Sequence, residues 1–210
     1  MAKQETHSLR RILFTLRHLR KVSQHHYGRS PFSILKMIYH SALSMNTFVL
    51  FERDLDGDPG PVGLPPEYTI VKPSAEELEA MRAHNELPRE FYYDSFHGVR
   101  NCYVVMHGAQ PAYIHWIYVR GDHNRFLRLG ERVAEVNYIT TLPGFRGKKL
   151  MALMMVITMN DLKKIGYRKL VSVVNTYNPP ALKSMRAAGF REVRTIRTLG
   201  LLNRKYAVDA

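Results

Sequence analysis

One cysteine and one tryptophan are all that the 210 residues contain of those two types. A lone Cys102 excludes an internal disulfide framework and suits a reducing interior. It lies in a strand-like run and reads as a buried, inert thiol. No apolar run approaches the roughly 20 residues that a membrane-spanning helix needs. The apolar stretch from Leu9 to Leu19 is interrupted by Arg10, Arg11 and Arg17, the wrong composition for a secretory signal, so a cytoplasmic protein is expected. Metal-ligand spacing is missing too: His25-His26, His107, His115 and His123 share no helix face, and no metal is expected. Asp54, Asp56 and Asp58 alternate like the start of a calcium loop, but Pro65 stands where a bidentate Glu is needed. No Ser-His-Asp or Cys-His set can be read from spacing, and no helix-turn-helix or zinc signature is present.

Acidic residues are scarce at both ends. Residues 1–53 contain only Glu5 and Glu52, and residues 140–206 only Asp161 and Glu192, while the stretch from Asp54 to Glu135 is net acidic. The formal charge of +13 therefore sits on two basic ends and calls for an anionic partner. The basic runs lack interleaved aromatics, which argues against a single-strand nucleic-acid groove. With 45% hydrophobic and 23% charged residues the composition is that of an ordinary globular chain, long enough for one domain with an added segment.

The segment Asp54–Pro66 (DLDGDPGPVGLPP) is too rich in proline, glycine and aspartate for a helix or a central strand and reads as a linker. Before it, Leu9, Ile12, Leu13, Leu16 and Leu19 form one face of a basic amphipathic helix, which can pack on the main domain or lie on a membrane surface. Ser30-Pro31 opens a second helix with Ile34, Leu35, Ile38 and Ala42 as its apolar face, and Thr47–Phe51 reads as a short strand. The organisation expected is a helical extension over 1–53, a linker over 54–66 and a main domain over 67–210.

In the main domain Glu67–Lys72 alternates like a strand, and Ser74 with Glu77 makes a capping box for a helix to about His84. Asn101–Met106 and Ala112–Val119 form a hairpin, and Glu135–Thr141 is another strand. A helix over Lys148–Ile165 ends at Gly166. Leu170–Asn175 is a β-branched strand, Pro179–Ala188 a helix, Phe190–Arg197 a strand and Leu199–Tyr206 a terminal strand. That order defines a mixed α/β domain.

The most informative stretch is Glu135–Leu150, EVNYITTLPGFRGKKL. A strand feeds a helix through a short basic loop, an arrangement that offers backbone donors and cations to a phosphate. With Asn178 and Gly189-Phe190 near the end, the element order resembles the GNAT acyltransferase superfamily over roughly Glu67 to Tyr206. Arg146-Gly147-Lys148 match the opening of that family's phosphate loop. Lys149 and Met151 stand where two later glycines are usual, so side chains replace part of the close backbone approach that glycine allows.

The resemblance implies a mostly antiparallel sheet flanked by helices. It also implies transfer of an acyl group from a thioester to an amine-type acceptor. The donor would be acetyl-CoA or a longer acyl-CoA, or an acyl carrier protein, an acidic partner suited to the basic surface. It implies that Arg146, Gly147, Lys148, Lys149, Leu150 and Met151 hold the donor's phosphates, that Ile139, Thr140 and Thr141 face its thioester, and that Asn175 and Asn178 flank its pantetheine arm. Asn178 also reads as a helix cap.

Acyl transfer needs a base, oxyanion donors and a route for the thiolate to leave. Glu135 is the only acid on its strand and stands eleven residues before Arg146, where some branches of the family carry a general-base glutamate. The other reading is a solvent-facing or arginine-paired carboxylate. Where many relatives carry an acidic tyrosine this chain has Met185, leaving Tyr177, Tyr138 or a water. His115, Trp116 and Tyr118 with Phe91, Tyr92, Tyr93 and His97 read as core aromatics or as an acceptor pocket. The alternative function is a non-catalytic module of the same fold, binding nucleic acid or membrane through its basic surfaces.

Overall fold

The computed structural model describes residues 45–57, 60, 63–199 and 205–210, together with Phe32. Both helices expected in the N-terminal extension, and with them the membrane-surface contact, lie outside the described residues. The chain divides into two units: Met1–Asn46 with Arg197–Asn203, and Thr47–Ile196 with Arg204–Ala210. All the candidate site residues belong to the second.

In chain order the strands are β1 (Met45–Asp54), β2 (Tyr68–Val71), β3 (Asn101–His107), β4 (Gln110–Tyr118), β5 (Leu127–Leu129), β6 (Val133–Thr141), β7 (Lys169–Asn175), β8 (Arg191–Leu199) and β9 (Tyr206–Val208). The helices are α1 (Ala75–His84), α2 (Tyr93–His97), α3 (Leu150–Lys164) and α4 (Pro179–Ala187). Seven strands form one sheet in the order β2-β3-β4-β6-β7-β1-β8, and β5 pairs with β9 in parallel. In the large sheet β2–β3, β3–β4, β4–β6 and β7–β1 pair antiparallel, and β6 with β7 pairs in parallel. The expected mixed, mostly antiparallel sheet flanked by helices is the fold observed.

Local chemistry accounts for several boundaries. Ser74 Oγ accepts the Glu77 N–H at 3.2 Å, and Glu77 returns a carboxylate to the Ser74 N–H at 2.7 Å, so α1 begins with the expected capping box. At the end of α3, Gly166 takes φ 93°, which lets the Tyr167 N–H reach back to the Leu162 carbonyl at 3.0 Å. Residues Pro111–Tyr118 of β4 are all buried, and their side chains alternate between two cores. Tyr113 and Ile117 join Met154, Met155 and Met159 of α3 on one face. Ile114, Trp116 and Tyr118 join Phe91, Tyr93 and Val171 on the other.

Three features differ from the sequence expectation. The strand at Thr47–Phe51 is longer and central: β1 pairs from Phe48 to Asp54 with β7, and its residues from Thr47 onward belong to the larger unit. The segment between α1 and β3 folds into a 3-10 turn (Arg89–Tyr92) and α2, where Trp116 Nε1 donates to the Glu90 carbonyl at 2.7 Å. The terminal strand is Tyr206–Val208 on β5; residues 200–204 lie outside the described residues.

Candidate active site

The site starts from a break in the sheet. β6 and β7 pair in parallel only from Val133 to Glu135 against Lys169 to Val171. Beyond Glu135 no β6 residue pairs with β7, although β6 continues to Thr141 and stays paired with β4. The register between β4 and β6 shifts at this point: Trp116 faces Asn137, Ile114 faces Thr140, and the extra residue is absorbed by Tyr138 in a left-handed conformation (φ 50°). A bulge of this kind bends its strand and re-aims side chains. The Leu142 N–H donates to Ala112 of β4, so by strand alternation the N–H groups of Thr141 and Ile139 point away from β4 into the gap.

A cavity of about 960 Å³ fills that gap. β6 contributes Asn137–Thr141 to its wall, β7 contributes Ser172–Asn175, and α4 contributes Asn178, Lys183, Ser184 and Met185 among others. The loop after β6 and the start of α3 add Phe145, Arg146, Gly147, Lys149, Leu150 and Met151. Arg146, Lys149 and Lys183 give the wall positive charge, and among the described residues no carboxylate lines it. Among the described residues the N–H groups of Gly147, Lys148 and Lys149 have no backbone acceptor, and those of Leu150, Met151 and Ala152 are the first-turn donors of α3, which no intrahelical carbonyl can meet. Fixed donors, a helix N-terminus and cations together suit a phosphate-bearing ligand. The N-cap, Lys149, has φ 58° and no side-chain capping bond, so it adopts a conformation that glycine takes freely and other residues only with strain.

Ten of the residues expected at the site line this one cavity: Ile139, Thr140, Thr141, Arg146, Gly147, Lys149, Leu150, Met151, Asn175 and Asn178. Arg146 Nε also donates to the Thr141 carbonyl at 3.3 Å, and Asn178 Oδ1 caps α4 through the Ala181 N–H at 3.2 Å. Three stand apart. Lys148 is exposed, its ammonium about 6 Å from the Phe145 and Tyr68 rings. Tyr177 is 82% exposed and outside the cavity wall, with its backbone N–H on Asn175 Oδ1.

Glu135 is fully buried, and among the described residues no arginine pairs with it. Its side chain lies one step behind the cavity wall: Asn137 Nδ2 donates to Oε1 at 2.8 Å, and Asn137 itself lines the cavity. Its Oε2 has no hydrogen-bond partner among the described residues. Burial pushes the Glu135 carboxyl up to about 8, against a smaller opposing effect of the Asn137 bond.

Sequence reasoning missed Asn137, which joins Glu135 to the cavity and also accepts the Tyr138 N–H at 2.8 Å, holding the bulge. Spacing could have flagged it, since residues two apart on a strand share a face. It also missed Ser172, Lys183 and Ser184, whose roles arise only once β7 and α4 close around the gap. The aromatic residues expected as core or pocket are core in part: His115, Trp116 and Tyr118 are buried. Tyr138 is shared, lining the cavity while its ring stacks on Tyr93 with centroids 3.6 Å apart.

No protein-family model matches the chain, and no curated protein matches it. Solved structures do. A GCN5-related N-acetyltransferase from Sphaerobacter thermophilus aligns over 86% of this chain and 59% of its own, with 12% identity and a TM-score of 0.56. A tandem GNAT protein from the clavulanic acid biosynthesis pathway aligns over 79% and 56%, with 16% identity and a TM-score of 0.54. A candidate GNAT-family acetyltransferase from Novosphingobium aromaticivorans aligns over 72% and 62%, with 17% identity and a TM-score of 0.52. The chain thus spans little more than half the length of these structures. At such identities the likeness concerns the fold, and the fold of this chain is that of the GNAT N-acetyltransferases.

Proposed function

We propose that the chain is an N-acyltransferase that holds a coenzyme A thioester in the gap between β6 and β7 and passes its acyl group to an amine. The observation that carries this reading is the cavity itself. It opens where a strand pair separates, has cations but no carboxylate among the described residues of its wall, and ends against the free amides of Gly147–Met151. The GNAT fold of the solved neighbours is consistent with such a donor.

In this reading Arg146, Lys149 and the first-turn amides of α3 hold the pyrophosphate, and Asn175 and Asn178 flank the extended arm between β7 and α4. The N–H groups of Ile139 and Thr141 face the thioester carbonyl and stabilise negative charge on its oxygen as the amine attacks. A C–N bond forms and the C–S bond breaks. Glu135 takes the amine's proton through Oε2, the oxygen without a hydrogen-bond partner among the described residues. Its raised proton affinity makes it a stronger base than an ordinary carboxylate, and it becomes ionised as pH passes about 8. The thiolate leaves with a proton from water or unassisted, since an ordinary thiol titrates near 8.5. Tyr177 is not needed, and its exposure favours no part in the step. No observation favours the alternative of a non-catalytic module.

The test is release of free CoA thiol from acetyl-CoA and from longer acyl-CoAs in the presence of a panel of primary amines. Amine-dependent release, with the acylated amine identified by mass, is expected. Release that does not depend on any amine, or none at all, would count against transfer.

A further inference from the structure

The face of α3 that lies on the sheet is largely methionine. Met154, Met155 and Met159 are buried there with Leu150 and Leu162, and Met151 packs beside them. Methionine side chains are unbranched and turn about several bonds, so they fill space without fixing one register of a helix over a sheet. Directional bonds can fix it, and two residues of α3 make them. The hydroxyl of wholly buried Thr158 meets Nε2 of His115 on β4 at 3.1 Å, and His115 Nδ1 meets the Tyr113 hydroxyl at 3.1 Å. About one turn further, Asp161 Oδ2 accepts from the Tyr103 hydroxyl of β3 at 3.2 Å and from Lys72 Nζ at 2.8 Å. The Tyr103 ring stacks on His115, with centroids 4.9 Å apart and planes 16° from parallel.

His115 is the centre of this network. Burial pushes its imidazole down to about 3, so the ring is neutral near neutral pH and has one donor and one acceptor nitrogen. The hydroxyls on either side can each donate or accept, so both nitrogens are satisfied whichever carries the hydrogen. The more exposed Lys72–Asp161 pair contributes less, because solvent screens it. His115 does not line the donor cavity, and an apolar side chain would fill its place without needing two partners. Its position gives it another use. On the same strand Tyr113 lies opposite Thr141 and Ile114 opposite Thr140, and both threonines line the cavity. Thr158 stands about 12 Å along the helix axis from Leu150 and the first-turn amides. A helix is stiff over that length, so a slip or rotation at Thr158 is carried to its N-terminus, and displacements of about 1 Å are enough to spoil a site.

We infer that His115 and Thr158 are positioning residues. Their hydrogen bond sets the register of α3 against β4 and β6, and so aims the first-turn amides of α3 at the donor's phosphates while the β6 amides face its thioester. This rests on the coenzyme A reading for the identity of the ligand, whereas the register rests on the buried bond alone.

Three variants of the full chain test it. Thr158→Val keeps the shape and removes the hydroxyl, Thr158→Ser keeps the hydroxyl, and His115→Leu/Thr158→Val replaces both partners by apolar groups. Each is compared with wild type by CoA calorimetry, by denaturant titration and, without ligand, by amide hydrogen exchange of the peptides covering α3. Thr158→Val is expected to bind CoA about tenfold more weakly and to exchange the α3 amides about tenfold faster, with Thr158→Ser within about twofold of wild type in both. The double variant is expected to recover the denaturant midpoint, since no buried polar partner is stranded between the two positions, but neither the CoA affinity nor the slow exchange. A bond that served stability alone would return all three together. Wild-type affinity and exchange in Thr158→Val overturn the inference, as does a double variant in which they return with stability. Should the double variant not fold, Thr158→Val against Thr158→Ser decides. Failure of wild type to bind CoA removes the donor reading, and hydrogen exchange then decides by itself whether this bond holds the register.

Discussion

At the scale of single residues the account turns on Glu135 and Lys149. The folded protein holds the Glu135 proton to about pH 8, whereas the unfolded chain releases it near the ordinary 4.5. Between those values the unfolded state binds fewer protons, so stability falls as pH rises through this window. Glu135→Gln keeps the shape and the bond from Asn137 without the charge. Its thermal or denaturant stability is expected to change little from pH 5 to pH 9 where wild type declines, ending ahead by on the order of a few kcal/mol at the alkaline end. Amine acylation by the same variant should drop by about 100-fold or more, with CoA binding intact. Wild-type turnover should climb toward a plateau above pH 8.

Lys149 makes a prediction of opposite signs. Lys149→Gly removes a left-handed strain worth roughly 1–2 kcal/mol, partly offset by a looser unfolded chain. Stability by denaturant titration should hold or rise while CoA binding weakens. The loop residues were legible in the sequence because they are contiguous and carry charge. The link from Glu135 through Asn137 to the cavity was not, because it depends on which side chains a bulge turns inward.

At the scale of elements, β1 and the bulge in β6 decide where the site lies. Sequence assigned the strand at Thr47–Phe51 to an extension because a proline- and glycine-rich segment follows it. Composition shows where a chain turns but not which strand it then pairs with. Phe51 is wholly buried on the α3 side, so Phe51→Ala should cost about 3–5 kcal/mol in denaturant titration. A loss under 1 kcal/mol would mean β1 is dispensable to the sheet. The gap beyond Glu135 has a similar origin. The β-branched runs of β6 and β7 announced two strands, and both formed, but nothing in either run marks where their pairing stops. The α3 and α4 helices were readable to within a few residues because proline, asparagine and glycine bound them. The 3-10 turn and α2 are short pieces fixed by Trp116 and Tyr93 contacts and carry little periodicity of their own.

At the scale of the whole molecule, the excess of basic residues and the cationic wall of the cavity, which holds no carboxylate among the described residues, suit an anionic ligand, and the order of elements was enough to expect the fold. The central claim is that the β6–β7 gap binds coenzyme A through its phosphates, and titration calorimetry of CoA tests it most directly. Saturable one-to-one binding is predicted, weakening as salt is raised and by about tenfold or more in Arg146→Gln/Lys149→Gln. Absence of binding, or binding indifferent to both the substitutions and the salt, would contradict it.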